Sequence, residues 1–85
     1  MIEIKHVIRD PWGFHARPCG AFVKAAKGFP CKITVLFGDK SVDAGRLMAL
    51  MTLGARCGET LRIRVEGDEE EAAAAALESF LQENL

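Results

Sequence analysis

The sequence lacks several features that would assign it to specialised classes of protein. It has no apolar run near the ~20 residues of a membrane-spanning helix. Its three cysteines, Cys19, Cys31 and Cys57, form no CxxC pair, so we expect reduced thiols instead of a disulfide framework or a zinc ribbon. Prolines number only three, and 49% of the residues are hydrophobic, which argues against disorder. We expect residues 1–85 to form a single globular domain.

Positive and negative residues nearly balance in number, but they are unevenly distributed along the chain. The net charge is −1, so nothing favours binding to nucleic acid. Residues 1–40 hold seven Lys/Arg against three Asp/Glu, whereas residues 41–85 hold four against nine. Strand-like alternation starts at Met1, which predicts no signal peptide, no membrane insertion and a cytoplasmic location.

Hydrophobic periodicity predicts four strands and three helices. The strands are expected at residues 2–9, Cys31–Phe37, Lys40–Asp43 and Thr60–Glu66, and the helices at Ala16–Lys27, about Arg46–Leu53, and after a cap at Asp68. Gly54 is predicted as the C′ residue of the second helix, and Glu71 as the capping-box partner of Asp68. The core stripe of the third helix is predicted to contain Ala73, Ala76, Leu77, Phe80 and Leu81. The order β-α-β-β-α-β-α favours a two-layer α+β fold with the helices on one face of one sheet.

One stretch, Gly13-Phe14-His15-Ala16-Arg17-Pro18, combines a sharp turn with a histidine at the start of a helix. The first N–H groups of a helix have no intrahelical partners, and with the helix dipole they attract anions. A neutral imidazole is favoured over an imidazolium in this position, which keeps His15 nucleophilic. The planar guanidinium of Arg17 suits phosphate oxygens. We therefore predict that His15 and Arg17 hold a transferable phosphoryl group.

Two faces are candidates for contact with a partner protein. In the first helix, an apolar stripe consists of Cys19, Phe22, Val23 and Ala26. Gly20, Lys24 and Lys27 share with Arg17 the opposite side, where they would dock an acidic partner unless they form only a solvated face. The second helix has too many apolar residues to bury on one narrow face. Leu50 and Leu53 fit the core, and the candidates for exposed contact are Leu47, Met48 and Met51.

Two other hypotheses for the function of His15 have weaker support. His15 and Cys19 are four residues apart on a helix, but two ligands do not make a metal site. A Cys19–His15 nucleophile pair has possible spacing, yet Cys19 falls on the apolar stripe. His6 also falls on an apolar face and is read as a core or edge histidine. No metal site and no cofactor are expected.

The stretch Gly13–Pro18 resembles a motif of the HPr family. The resemblance continues in three later segments: Ala21-Phe22-Val23, Lys27-Gly28-Phe29 and Met51-Thr52-Leu53-Gly54. Members of this family are histidine-containing phosphocarriers of the bacterial phosphoenolpyruvate-dependent phosphotransferase system. The resemblance implies an open-faced β-sandwich, with a four-stranded antiparallel sheet covered by three helices. It also implies that His15 accepts a phosphoryl group on Nδ1 from phospho-enzyme I and donates it to a sugar-specific enzyme IIA, with Arg17 stabilising the group. Such a protein is a phosphoryl-group carrier, not a free-standing enzyme, and we expect a monomer.

The sequence departs from the family pattern at Arg46. Many members have a serine there, which a dedicated kinase phosphorylates, and arginine has no hydroxyl. We therefore expect no such regulation. The alternative hypothesis is a regulatory HPr-like protein, in which the phosphorylation state of His15 controls partner binding in a nitrogen-related or kinase-linked branch.

Overall fold

A computed structural model describes residues 1–85 and contains four strands and three helices. The strands are β1 (Ile2–Val7), β2 (Lys32–Phe37), β3 (Lys40–Asp43) and β4 (Thr60–Glu66), and the helices are α1 (Ala16–Lys27), α2 (Leu47–Met51) and α3 (Glu70–Asn84). All strand pairs are antiparallel, in the order β1-β4-β2-β3. The predicted element order and the α+β class, an open four-stranded sheet with three helices, are confirmed.

The central strand β4 shows why the sheet has one covered face and one open face. Its apolar residues Leu61, Ile63 and Val65 are fully buried, because period-two alternation sends them all beneath the helices. Between them, Arg62 and Arg64 emerge on the open face and form ion pairs with Glu3 of β1, with N–O distances of 3.2 and 3.7 Å. None of the helices combines the length and apolar character needed to cross a membrane.

Three predicted elements are shorter in the structure, of which β2 loses only Cys31. Strand β1 ends at Val7 because the main chain of Ile8 turns to Glu59 and Gly58, with hydrogen bonds of 2.9 and 2.7 Å. Helix α2 has Arg46 as its N-cap and Thr52 as its C-cap. The prediction of Gly54 as the C′ residue is therefore wrong. The amide of Leu53 bonds to the carbonyl of Leu50 at 3.2 Å, a tighter final turn that ends the helix before the left-handed Gly54 (φ 75°).

The predicted cap of α3 is also wrong. The N-cap is Glu69, which has left-handed backbone (φ 62°) and no side-chain cap bond. Instead, the Glu70 carboxylate accepts the N–H of Gly67 at 3.1 Å and pairs with the Met1 amino group at 2.8 Å. The bond from the amino group, followed by that from Gly67, lowers the pKa of Glu70. This carboxylate thus ties the turn before α3 to the N-terminus of the chain, and no side chain caps the helix.

The buried stripe of α3 is displaced from the predicted one at a single position. Ala76 is exposed and Ala74 is buried, whereas Ala73, Leu77 and Leu81 are buried as predicted. The remaining predicted residue, Phe80, is partly buried against the core. Helix α3 packs against both β1 and α1, so its buried face extends to Ala74. Ala76 then lies on the flank of the helix, since each residue advances by about 100°.

Candidate functional site

The loop before α1 begins with a turn that Asp10 stabilises twice. One oxygen of its carboxylate, Oδ1, accepts the N–H of Trp12 at 2.8 Å, and its backbone carbonyl accepts the N–H of Gly13 at 2.9 Å. An aspartate favours this arrangement because its short side chain reaches the amide two residues later. The turn fixes the direction in which the chain approaches the helix.

Gly13 then brings the loop into close contact with the segment after α2. Its φ is 70°, and a Cβ atom there would lie 2.6 Å from the carbonyl oxygen of Ala55 and 2.9 Å from the Cα of Arg56. The next amide, of Phe14, donates to the same Ala55 oxygen at 3.0 Å. The Phe14 ring is buried edge-on against Phe22, with centroids 6.0 Å apart. Only glycine fits this approach, and the buried ring anchors the loop.

His15 is the N-cap of α1, with extended backbone (φ −99°, ψ −177°) and no side-chain cap bond. Its carbonyl accepts the N–H of Cys19 at 3.0 Å and so starts the helix. The imidazole is 36% exposed, and its Nε2 lies 3.5 Å from Oδ2 of Asp10. The ring therefore turns one nitrogen towards a carboxylate, while Nδ1 has no hydrogen-bond partner within the chain.

A surface depression of about 460 Å³ surrounds the ring. It is lined by Asp10, Trp12, His15, Arg17, Pro18, Ala21, Glu83 and Asn84. Arg17 is exposed and forms no ion pair, so its guanidinium is free to bind an anion beside the ring. The structure thus places the two residues predicted to hold the phosphoryl group, His15 and Arg17, in one depression.

The predicted docking residues lie on two adjacent helices, since α1 packs against α2. On α1, Lys24 and Lys27 are exposed, and Gly20 is half-buried with open space above its Cα. On α2, the three residues predicted to be accessible are exposed: Leu47 by 38%, Met48 by 72% and Met51 by 39%. Leu50 and Leu53 are buried, as expected from the sequence. Basic and apolar groups are therefore available side by side, and their contact with a partner stays a prediction.

The alternative roles of Cys19 are disfavoured by its surroundings. The side chain is fully buried, and its Sγ lies 3.5 Å from the carbonyl oxygen of Phe14. Burial raises the pKa of the thiol to about 11, so the nucleophilic thiolate is scarce at neutral pH. Nor does the structure bring three or more potential metal-ligating side chains together.

Sequence reasoning missed two features of the site. It gave no role to Asp10, whose second carboxylate oxygen faces His15. It also gave no role to Trp12, which is 82% exposed and lines the same depression. A signal was available for Asp10, because an aspartate that caps a turn with one oxygen leaves the other free.

The chain is similar to known proteins in both sequence and structure. The family model described as "PTS HPr component phosphorylation site" matches residues 2–83. The phosphocarrier protein HPr of Buchnera aphidicola is 37% identical over 83 residues, which are 98% of each chain. The HPr-like protein Crh of Halalkalibacterium halodurans is 33% identical over 82 residues, 96% of this chain and 98% of that one. A crystal structure of HPr from Thermoanaerobacter tengcongensis superposes with a TM-score of 0.90 at 36% identity, covering 96% of this chain and 92% of the other.

Proposed function

The chain belongs to the HPr family of phosphotransferase-system phosphocarriers, and on that premise we propose that His15 receives its phosphoryl group from phospho-enzyme I and passes it to a histidine of a sugar-specific enzyme IIA. The observation that carries the proposal is the half-exposed imidazole at the N-terminus of α1, with Nε2 towards Asp10 and Nδ1 unpartnered. This is the geometry of an accessible nitrogen nucleophile. The proposed relay takes place in the cytoplasm and uses the chain as a monomer.

The surroundings of His15 favour a phosphoryl group that is held and then released. The group carries about two negative charges at neutral pH. The N–H groups in the first turn of α1 and the positive end of the helix dipole attract those charges, and Arg17 adds a planar pair of donors. All these groups are near the surface, where water weakens their attraction. The phosphoryl group is therefore stabilised without being trapped.

The docking surface of the proposed carrier consists of the exposed residues of α1 and α2. Gly20, Lys24 and Lys27 supply a basic strip with little steric obstruction, and Leu47, Met48 and Met51 supply apolar contact. Charges of this kind accelerate encounter with an acidic partner, while flexible methionines adapt to different partner surfaces. A relay must bind a donor and an acceptor in turn, and such a surface suits both.

The function is tested by incubating the protein with labelled phosphoenolpyruvate and a catalytic amount of enzyme I. We expect label that is labile in acid and stable in alkali, as for a phosphohistidine. His15→Ala should lose all label, whereas Cys19→Ser and His6→Asn, which alters the only other histidine, should keep it. Absence of label on the unaltered protein, or label retained by His15→Ala, would overturn the proposal.

A regulatory role is the second candidate, because the similar protein Crh of Bacillus subtilis is described as a catabolite repression HPr. Here the phosphorylation state of His15 would control binding to a partner, with no onward transfer. The two candidates differ in the fate of the label. A carrier transfers it to enzyme IIA when the two proteins are mixed without enzyme I, whereas a regulator keeps it.

A further inference from the structure

We propose that Asp10 is a positioning residue for His15: its carboxylate holds a proton on Nε2 and thereby keeps Nδ1 free as the nucleophile. The inference rests on the proposed function and extends it to a residue outside the motif that carries the family resemblance. The two carboxylate oxygens of Asp10 have different contacts: Oδ1 with the Trp12 amide and Oδ2 with His15.

The first oxygen fixes the position of the second. Because Oδ1 accepts the N–H of Trp12 at 2.8 Å, the carboxylate cannot rotate without breaking that bond. The Gly13 amide, bonded to the Asp10 carbonyl at 2.9 Å, holds the same turn from the main chain. Oδ2 is then directed at the imidazole, 3.5 Å from Nε2. The contact is thus built into the turn and does not depend on a mobile surface side chain.

The carboxylate selects one tautomer of the neutral ring. A neutral imidazole carries one N–H and one lone pair. With the proton on Nε2, the N–H faces the negative oxygen, whereas with the proton on Nδ1, a lone pair would face it. The first arrangement is attractive and the second repulsive, as in metal sites and catalytic triads where a carboxylate sets the tautomer of a histidine. The nucleophilic lone pair of His15 is consequently on Nδ1.

The same contact stabilises the product of transfer. The Nδ1 lone pair forms a bond to phosphorus while the bond from phosphorus to the donor histidine nitrogen breaks. The donor leaves as a neutral imidazole, and the positive ring charge passes to His15, whose Nε2 keeps its proton. Asp10 lies beside this new charge. The other charged groups that line the depression are Arg17, suited to the phosphoryl oxygens, and Glu83.

Asp10→Asn tests the proposal with almost no change of shape. The Trp12 N–H still requires an acceptor, so the amide oxygen must take the place of Oδ1. The amide nitrogen, a donor, is then forced towards Nε2. A donor there favours the lone pair on Nε2 and the proton on Nδ1, which reverses the tautomer and blocks the nucleophile. The matched control is Asp39→Asn, which removes the same charge from an exposed turn between β2 and β3.

The first measurement is the ¹⁵N chemical shift of the histidine ring nitrogens in unphosphorylated protein at alkaline pH. We expect the Nε2–H tautomer of His15 in the unaltered protein and in Asp39→Asn, and a shift towards Nδ1–H in Asp10→Asn. The ring of His6 serves as an internal reference in the same spectra. An unchanged tautomer in Asp10→Asn would overturn the proposal. This readout needs no partner, so it stands even if enzyme I fails to phosphorylate the protein, which would overturn only the proposed function.

The second measurement is the rate of phosphorylation by phospho-enzyme I at saturating donor. Because a charge-assisted contact is lost, we expect the rate to fall by about tenfold in Asp10→Asn and to stay unchanged in Asp39→Asn. Asp10→Ser keeps an acceptor for the Trp12 N–H but has no second oxygen. Its phosphorylation rate should also fall, but the tautomer of His15 should not be reversed. Asp10→Ser replaces Asp10→Asn in the test if Asp10→Asn does not fold. A reversed tautomer with an unchanged rate would exclude a positioning role.

Discussion

Helices α1 and α2 are entered through the same kind of turn. Before α1, Asp10 accepts the amide of Trp12 on its side chain and that of Gly13 on its carbonyl. Before α2, Asp43 likewise accepts the amide of Gly45 at 2.7 Å and that of Arg46 at 3.1 Å. Both turns lead to an N-cap residue with extended backbone and no side-chain cap bond. The local chain chemistry at the two helix starts is thus closely matched.

What differs is the distance between turn and helix and the residue that occupies the cap. Before α1, Gly13 and Phe14 intervene and fasten the loop against Ala55, so that His15 is held half-buried. Before α2, Arg46 itself closes the turn and is exposed. An imidazole can be neutral at the positive end of a helix, whereas a guanidinium is always charged and opposes the dipole. Two helix starts with a shared turn therefore differ in the anchored loop and the cap residue, and these two features set the proposed site at His15 apart.

The anchoring of the loop can be broken at Gly13, and this should have the largest effect on stability. Gly13→Ala strains a left-handed backbone and places a Cβ 2.6 Å from the oxygen of Ala55, so we expect a loss of about 2–4 kcal/mol in the free energy of unfolding. Gly54 is the matched control, because it has a similar φ of 75° with no atom near its Cβ position. Gly54→Ala should cost only about 1 kcal/mol. Urea denaturation measures both, and equal losses would show that the close approach to Ala55 is not what anchors the loop.

The proposed division of docking between the two helices predicts a smaller effect, on binding. Reversing charge with Lys24→Glu and Lys27→Glu should weaken association with enzyme I by about tenfold at low salt and less at high salt, because added ions screen exposed charges. Met48→Ala on α2 should weaken binding to a similar extent at every salt concentration, since it removes apolar contact. The control is Lys5→Glu in β1, on the open face of the sheet. Isothermal titration at two ionic strengths distinguishes these effects, and unchanged binding by the lysine variants would reduce that strip to a solvated face.

The parts of the molecule that depend on periodicity could be predicted from the sequence. The observed bounds of α1, β3 and β4 are the predicted ones. Each of these elements buries one face, and this burial requires apolar residues at the period of the helix or strand. Predictions failed where a distant segment decided the outcome. The N-cap of α3 is Glu69 instead of Asp68, next to Glu70, whose carboxylate pairs with the Met1 amino group. Strand β1 ends where Ile8 bonds to Glu59. In the candidate site, the motif predicted the role of His15, whereas the contact between His15 and Asp10 depends on the geometry of the turn.

The smallest predicted effect concerns the cap residue of α2. Arg46→Ser should raise the free energy of unfolding by about 0.5–1 kcal/mol, because a serine hydroxyl can accept an orphan N–H of the first turn and the unfavourable charge is removed. Phosphorylation of His15 should be unaffected, since the cap of α2 has no part in the transfer. Arg56→Ser, in the exposed segment after α2, is a control for the loss of charge alone. Thermal and urea denaturation give the change in stability.

The same variant tests whether the second helix start lacks only a hydroxyl to become a regulatory site. The kinase that modifies the family's serine should leave the unaltered protein without phosphate and should phosphorylate Arg46→Ser, as followed by intact mass and peptide mapping. Phosphate on any serine of the unaltered protein would contradict the prediction for Arg46. Failure of Arg46→Ser to accept phosphate, with its stability raised as expected, would mean that the Asp43 turn and the exposed α2 do not suffice for recognition. The two helix starts would then differ in more than the residue at the cap.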